Sequence, residues 1–176
     1  MISSSQDYAA IWQQYQVLKT ATPGKYARDI ATEMGISEAQ LTFARTGHDA
    51  TALTHDAREI LSALELVGET KCICRNEYAV HEHLGRFTNQ HISERAGLVL
   101  NPRALDLRLF ISQWASAFFV RDASARGERQ SIQFFDHQGD AVLKVYATEQ
   151  TDRAAWNNVV GRFSAPHAQP FAPQPV

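Results

Sequence analysis

Residues 131–146 read SIQFFDHQGDAVLKVY, and this stretch decides the fold class. Two runs rich in β-branched and aromatic residues, 131–135 and 141–146, flank Asp136-His137-Gln138-Gly139-Asp140. Gly139 can take the positive φ that a tight reversal requires, so two antiparallel strands joined by a short turn are predicted. The same chemistry recurs upstream. Residues 71–74 and 78–84 bracket Arg75-Asn76-Glu77, the length of a hairpin turn. Residues 98–100 form a short apolar run stopped by Asn101-Pro102. Residues 105–110 alternate as Leu, Asp, Leu, Arg, Leu, Phe, and residues 117–121 supply one more strand. Short connections between successive strands predict a meander.

Ahead of Gly68 the apolar period is near 3.6 instead. Tyr8, Ile11, Trp12, Tyr15 and Leu18 fall on one helix face. Thr22-Pro23 reads as an N-cap followed by proline at the first helical position, with Tyr26, Ile30 and Met34 forming an amphipathic turn that Gly35 ends. Ser37 caps a further short helix, and residues 56–67 set Ile60, Leu61, Leu64 and Val67 on one stripe closed by Gly68. All of these helices precede the first expected strand. Residues 151–163 return to helix, capped by Thr151 or Asp152, with Ala155, Trp156, Val159, Val160 and Phe163 on the buried stripe. The expected fold is therefore α+β over residues 1–163: N-terminal helices, a central antiparallel β-sheet meander and a C-terminal helix. Residues 164–176 hold four prolines and read as an extended linker or tail.

The 176 residues are 44% hydrophobic and 20% charged, an ordinary globular composition. A net charge of −2 gives no global attraction to nucleic acid or anionic lipid. MISSSQDY lacks the basic and apolar regions of a secretion signal, and no stretch approaches the ~20 apolar residues that span a bilayer. A cytoplasmic protein without membrane insertion is expected. Cys72 and Cys74 share one strand, where their side chains stand about 7 Å apart, too far for a disulfide. They read as free thiols.

His81 and His83, two apart on one strand, leave the same sheet face. Such a pair suits a solvated strand face, a metal with a third ligand, or a haem iron, which needs only one axial imidazole. Arg108 occupies the polar side of Leu105, Leu107 and Leu109 and reads either as partner of a cross-strand carboxylate or as an arginine facing a ligand pocket. Arg103, Arg126, Arg129 and Lys144 add positive charge near the strands, and guanidinium groups bind carboxylates such as haem propionates bidentately. His81 and Arg108 are expected on strands of one sheet, which would allow a shared pocket. His48, His55 and His137 read as solvated or capping residues. No G-x-G-x-x-G, Walker loop, H-E-x-x-H or nucleophile elbow occurs.

Six segments carry a resemblance: PGKYARDIA (23–31), ILSALELVGETKCICRNEYAVHE (60–82), FTNQH (87–91), LVLNPRALDLRLF (98–110), QWAS (113–116) and ARGERQSIQFFDHQGDAVLKVYAT (125–148). Over about residues 8–163 the chain resembles the N-terminal repeat of the HemS/ChuS/HmuS haemin-degrading, or haem-utilisation, family. The resemblance implies one half of a two-repeat protein, each half a set of helices around an antiparallel sheet, with haem as cofactor. It implies that Arg108 reaches the distal side of the haem and that His81 is the candidate axial ligand to iron within this half. It places the proximal histidine in a segment that follows the first repeat and that residues 164–176 do not supply. It also implies a second repeat or an identical copy as partner. Haem carriage in bacterial iron acquisition is the expected function. Two alternatives stand beside it: a haem-degrading enzyme drawing electrons from an external donor, and a half that supports the haem-binding part of a longer protein without binding haem itself.

Overall fold

Alternate side chains of a strand point to opposite faces, so a strand whose every residue is buried must lie inside a sheet covered on both sides. Residues 131–135 meet that condition: Ser131, Ile132, Gln133, Phe134 and Phe135 are all buried. The computed structural model, which describes residues 7–174, places them in the middle of β8.

In chain order the helices and strands are α1 (Tyr8–Ala21), α2 (Ala27–Met34), α3 (Glu38–Ala44), β1 (Ala50–Ala52), α4 (Ala57–Ala63), β2 (Gly68–Arg75), β3 (Val80–Arg86), β4 (Gln90–Ile92), β5 (Gly97–Leu100), β6 (Asp106–Leu109), β7 (Trp114–Ser124), β8 (Gly127–Asp136), β9 (Ala141–Thr151) and α5 (Arg153–Phe163). A 3₁₀ turn, Leu64–Val67, prolongs α4, and another, Ile111–Gln113, precedes β7. The fold is α+β as expected, but the strands form two sheets. A six-stranded sheet has the order β1-β7-β8-β9-β2-β3, and β4-β5-β6 form a separate three-stranded sheet. Every pairing between named strands is antiparallel. β7-β8-β9 is a true meander, whereas the earlier hairpin β2-β3 attaches beyond β9. Two strands carry no sequence signal: β1 precedes α4, so helices do not all come before the first strand, and β4 is only Gln90-His91-Ile92.

One face of the large sheet, with Ile132, Phe134 and Val145, is covered by Ile60, Leu61 and Leu64 from the α4 region and by Trp156, Val159 and Phe163 of α5. The inner side of the small sheet, through Val99 and Leu109, joins the same core. On the opposite face Phe118, Val120 and Phe135 pack with Ala39 of α3, while α1 and α2 close a third cluster through Ile11, Tyr15, Ile30 and Leu41.

Caps fix the helix starts. Ser37 and Gln40 form a reciprocal capping box, the Ser37 Oγ accepting from Gln40 N–H at 3.2 Å and the Gln40 Oε1 accepting from Ser37 N–H at 2.9 Å. Asp152 caps α5 by accepting from Ala155 N–H at 3.0 Å. Thr22 does not start a helix. Its N–H donates to Leu18 O at 3.0 Å, so it closes α1, and α2 begins only at Ala27 after Tyr26. Proline just past a C-cap blocks continuation of the helix, and that is the role Pro23 takes.

Arg45 went unnoticed in the sequence and is 1% exposed. Its Nε and Nη2 donate to the two carboxylate oxygens of Asp49 at 2.8 and 3.0 Å, and Nη2 also reaches Asp122 at 2.6 Å. The guanidinium lies 5.0 Å from the Tyr15 ring centroid. The group thus ties α1, the end of α3, the turn before β1 and β7 together. Burial works to lower its pKa, but the Asp49 hydrogen bond and the charge of Asp122 raise it above the ordinary arginine value.

Residues 164–174 run without regular secondary structure, as their prolines imply, yet they are docked. Ser164 bridges to Leu53, Ala165 N–H donates to Ala52 O at 2.8 Å, and Gln174 N–H donates to His137 O at 2.8 Å. Phe171 is buried against Phe118 and Phe135, and its carbonyl accepts from the Tyr8 hydroxyl at 3.0 Å. Gly139 is needed twice, for its φ of +93° and because a Cβ there would lie 2.4 Å from Ser37 Oγ.

Two measurements check this packing. Arg45→Ala leaves two carboxylates around an emptied site and is expected to lower unfolding free energy by about 3–5 kcal/mol in urea denaturation. Phe171→Ala is expected to cost about 3 kcal/mol, an effect that a free linker would not show.

Candidate functional site

The β2-β3 hairpin is set by Asn76, whose Oδ1 accepts from the N–H groups of Tyr78 and Ala79 at 2.8 and 2.9 Å. The register pairs Cys74 with His81 and Cys72 with His83, so two thiols and two imidazoles share one sheet face. The imidazole rings lie parallel, 6.4 Å between centroids and 2° between planes. His81 is exposed, His83 and Cys74 are half-buried, and Cys72 is buried. Among the described residues no group of three or more His, Cys, Asp or Glu is placed to hold a metal ion. Burial, with a smaller contribution from Cys74, pushes the Cys72 thiol up to about 12, and burial raises Cys74 as well. Burial thus disfavours the thiolate form at both cysteines.

Two residues past His83, on the same face, a Cβ at Gly85 would sit 2.6 Å from Leu105 Cβ. The chain entering β6 therefore crosses directly over this end of β3. Phe87 then enters the core with 0% exposure, and the backbone leaves the large sheet to begin the small one. This geometry corrects the expectation of a single sheet: His81 stands on β3 and Arg108 on β6 of the other sheet.

On the small sheet Arg108 pairs with Leu98, and Leu98 pairs with His91. The three side chains form a row on the outer face, because Val99 and Leu109, on alternate positions, face the core. With strands about 4.8 Å apart, the backbones of His91 and Arg108 are about 10 Å apart. Both residues are exposed, as are Leu100 and Phe110 beside them. Arg108 forms no ion pair among the described residues, and the residue across from it is Leu98, not a carboxylate. Sequence reasoning missed His91, since an isolated histidine in a three-residue strand has no periodic signal and only the register brings it to Arg108.

The remaining basic residues separate. Arg103 is exposed in the loop between β5 and β6, with a φ of 64°. That loop is fixed by Asn101, whose Nδ2 donates to the carbonyls of Arg86, Thr88 and Leu105 at 3.1–3.2 Å. Arg126 lies exposed between β7 and β8. Lys144 pairs with Ile73, one position off the Cys72–Val145 pair, so it points to the face opposite His81 and there forms an ion pair with buried Glu38. Its charge is already neutralised, which removes it from the group expected around a carboxylate ligand.

Helices cover both faces of the six-stranded antiparallel sheet, and the small three-stranded sheet presents an arginine with no ion pair among the described residues. Residues 35–163 match the family described as the haemin-degrading HemS.ChuX domain, and the chain belongs to that family. It is 58% identical over 168 residues to the hemin transport protein HmuS of Yersinia pestis, covering 96% of this chain and 49% of that protein. The structure of the heme degrading enzyme ChuS of Escherichia coli O157:H7 superposes with a TM-score of 0.92 at 61% identity, covering 96% of this chain and 51% of that one. The holo form of PhuS, a heme-binding protein from Pseudomonas aeruginosa, gives 0.88 at 36% identity, covering 95% and 49%. The chain spans about half the length of these relatives.

The thiol environment is directly measurable. At mildly alkaline pH an aromatic disulfide reagent is expected to modify Cys72 and Cys74 at least roughly tenfold more slowly in the native protein than in denaturant, because the thiolate population is suppressed by burial. Equal rates would contradict the packing of β2.

Proposed function

We infer that the chain is a haem-binding unit of a bacterial haem-uptake system, carrying haem in the cytoplasm for iron acquisition. The observation that carries this reading is Arg108, exposed without an ion-pair partner among the described residues, on a strand face shared with Leu98 and His91. Haem is a flat apolar macrocycle with two carboxylates and an iron that accepts imidazole. The residues present fit such a group: a guanidinium for an anionic edge or an iron-bound ligand, exposed Leu100 and Phe110 as apolar surface, and accessible imidazoles at His81 and His91. Arg103 is a further cation on the same sheet's loop. When bound, the haem would supply an iron that accepts imidazole ligation.

His81 would ligate the haem iron, with Arg108 as the positive group toward the cofactor and His83 as the neighbouring imidazole. His81 and Arg108 stand on two sheets, and we read a second repeat or an identical copy as completing a single pocket, with the open edge of strand β3, which carries His81, as the surface available to it. The likeness to a heme degrading enzyme at 61% identity supports ring opening as the second reading. The chain carries no flavin or nicotinamide motif, so that reaction draws electrons from a separate donor.

Haem titration followed at the Soret band tests the reading. A sharp saturable band is expected, lost in His81→Ala. Arg108→Ala is expected to weaken affinity by about 1–3 kcal/mol, and Arg108→Lys to restore only part of it. Loss of the band in His83→Ala or His91→Ala, with His81→Ala unchanged, would move the axial ligand. No saturable band at all would make this half a structural support. Loss of the band on adding a reductant in air, with a bilin appearing, would select the enzymatic reading.

A further inference from the structure

Among the described residues only Asn89 and Arg103 take a positive φ without being glycine, at 54° and 64°. Both lie in loops of the small sheet, Asn89 just before β4 and Arg103 between β5 and β6. Left-handed backbone outside glycine persists only where its surroundings hold it, and such strain collects at segments that meet ligands. The bonds around β4 show what holds it. Asn89 Nδ2 donates to Asn101 Oδ1 at 2.7 Å, and Gln90 Nε2 donates to Leu61 O and Phe87 O at 2.7 and 2.6 Å. After the strand, Ser93 N–H donates to Ala96 O at 2.8 Å. A strand of three residues is thus pinned at both ends. Gln90 is half-buried and Ile92 packs on the core, so the one side chain that β4 presents outward is His91.

The face that His91 shares carries Leu98 and Leu100 of β5, Asp106 and Arg108 of β6, and Phe110 just beyond. Neither Arg108 nor Asp106 forms an ion pair among the described residues. Of these groups, the imidazole and the Asp106 carboxylate have lone pairs for a metal, whereas a guanidinium stays protonated and has none. Asp106 stands about 7 Å along the strand from Arg108, which attracts its charge. His91 stands on the far side of Leu98, with its backbone about 10 Å from that of Arg108. An imidazole bond to iron holds the porphyrin plane across the bond. A ring on His91 would therefore lie flat over Leu98, with its rim toward Arg108.

We propose that His91 is the second axial ligand to the haem iron, on the side opposite His81. The assignment rests on the reading that haem meets both His81 and Arg108. His81, on the large sheet, takes one side of the iron, and His91, on the small-sheet face that carries Arg108, takes the other. Arg108 then meets a carboxylate at the rim of the ring, and Leu98 lies beneath it.

The test titrates ferric haem into the intact chain and reads the spin state of the bound iron by visible absorption and electron paramagnetic resonance. Two axial imidazoles give low-spin iron, and one gives high-spin iron. The unaltered chain is expected to be low-spin. His91→Ala should still bind saturably but turn high-spin, and added free imidazole should restore the low-spin spectrum. Asp106→Asn should leave the spectrum unchanged. Circular dichroism of each variant separates loss of the ligand from loss of the fold, and His91→Gln, with the same expected result, takes over if His91→Ala misfolds. No saturable binding by the unaltered chain would remove the haem reading altogether, and this assignment with it. Saturable binding that is high-spin in the unaltered chain, or low-spin and unchanged in folded His91→Ala or His91→Gln, would overturn the His91 assignment alone. A spectral change in Asp106→Asn that the His91 variants lack would also overturn it, because the bond would then lie with the carboxylate.

Discussion

Burial of β8 on both faces is the constraint from which the rest of the structure follows. Ile132 and Phe134 need an apolar cover on one side, and Phe135 needs one on the other. Neither the α4–α5 layer nor the α1–α3 layer can serve both. The chain therefore spends its first helices on one face and α4 and α5 on the other, with the small sheet added to the second layer. Polar groups caught between the layers are satisfied locally: Gln133 Nε2 donates to Ser131 Oγ at 3.0 Å, and Lys144 meets Glu38. The buried Arg45 cluster does the same at the edge of the helical layer, where two carboxylates and a tyrosine ring surround one cation.

This double cover also positions the functional surfaces. Because the inner side of the small sheet packs on the core, its outer side is left to solvent, and Arg108 is presented there with no ion pair among the described residues. The position of that sheet depends on a close approach at Gly85 and on the side chain of Asn101, which gathers three carbonyls from separate parts of the chain. On the far side, α2 does not close fully over β2 and β3, and a cleft is the result. The cleft and the Arg108 face lie on different sheets.

Features that depend on neighbours in sequence were legible. The α5 stripe, the Ser37 and Asp152 caps, the Gly35 and Gly68 helix ends and the β8-β9 hairpin all follow from local periodicity, capping chemistry or positive φ. Thr22-Pro23 misled because a threonine before proline serves equally at the start of one helix and just past the end of another. β1 and β4 were missed because three residues are too few to show a period. The family resemblance was legible too, since it rests on long shared words.

The sequence by itself determined the α+β class, most of the elements and the family, because each is encoded within a few turns of chain or in contiguous words. Only the tertiary structure decided that the strands divide into two sheets, that His81 and Arg108 stand on different ones, and that His91 joins Arg108. It alone decided that Lys144 is spent on Glu38 and that Phe171 docks the tail. Each of these depends on contacts between residues far apart in the chain, and no local pattern records which distant partner will satisfy a buried charge or cover an apolar face.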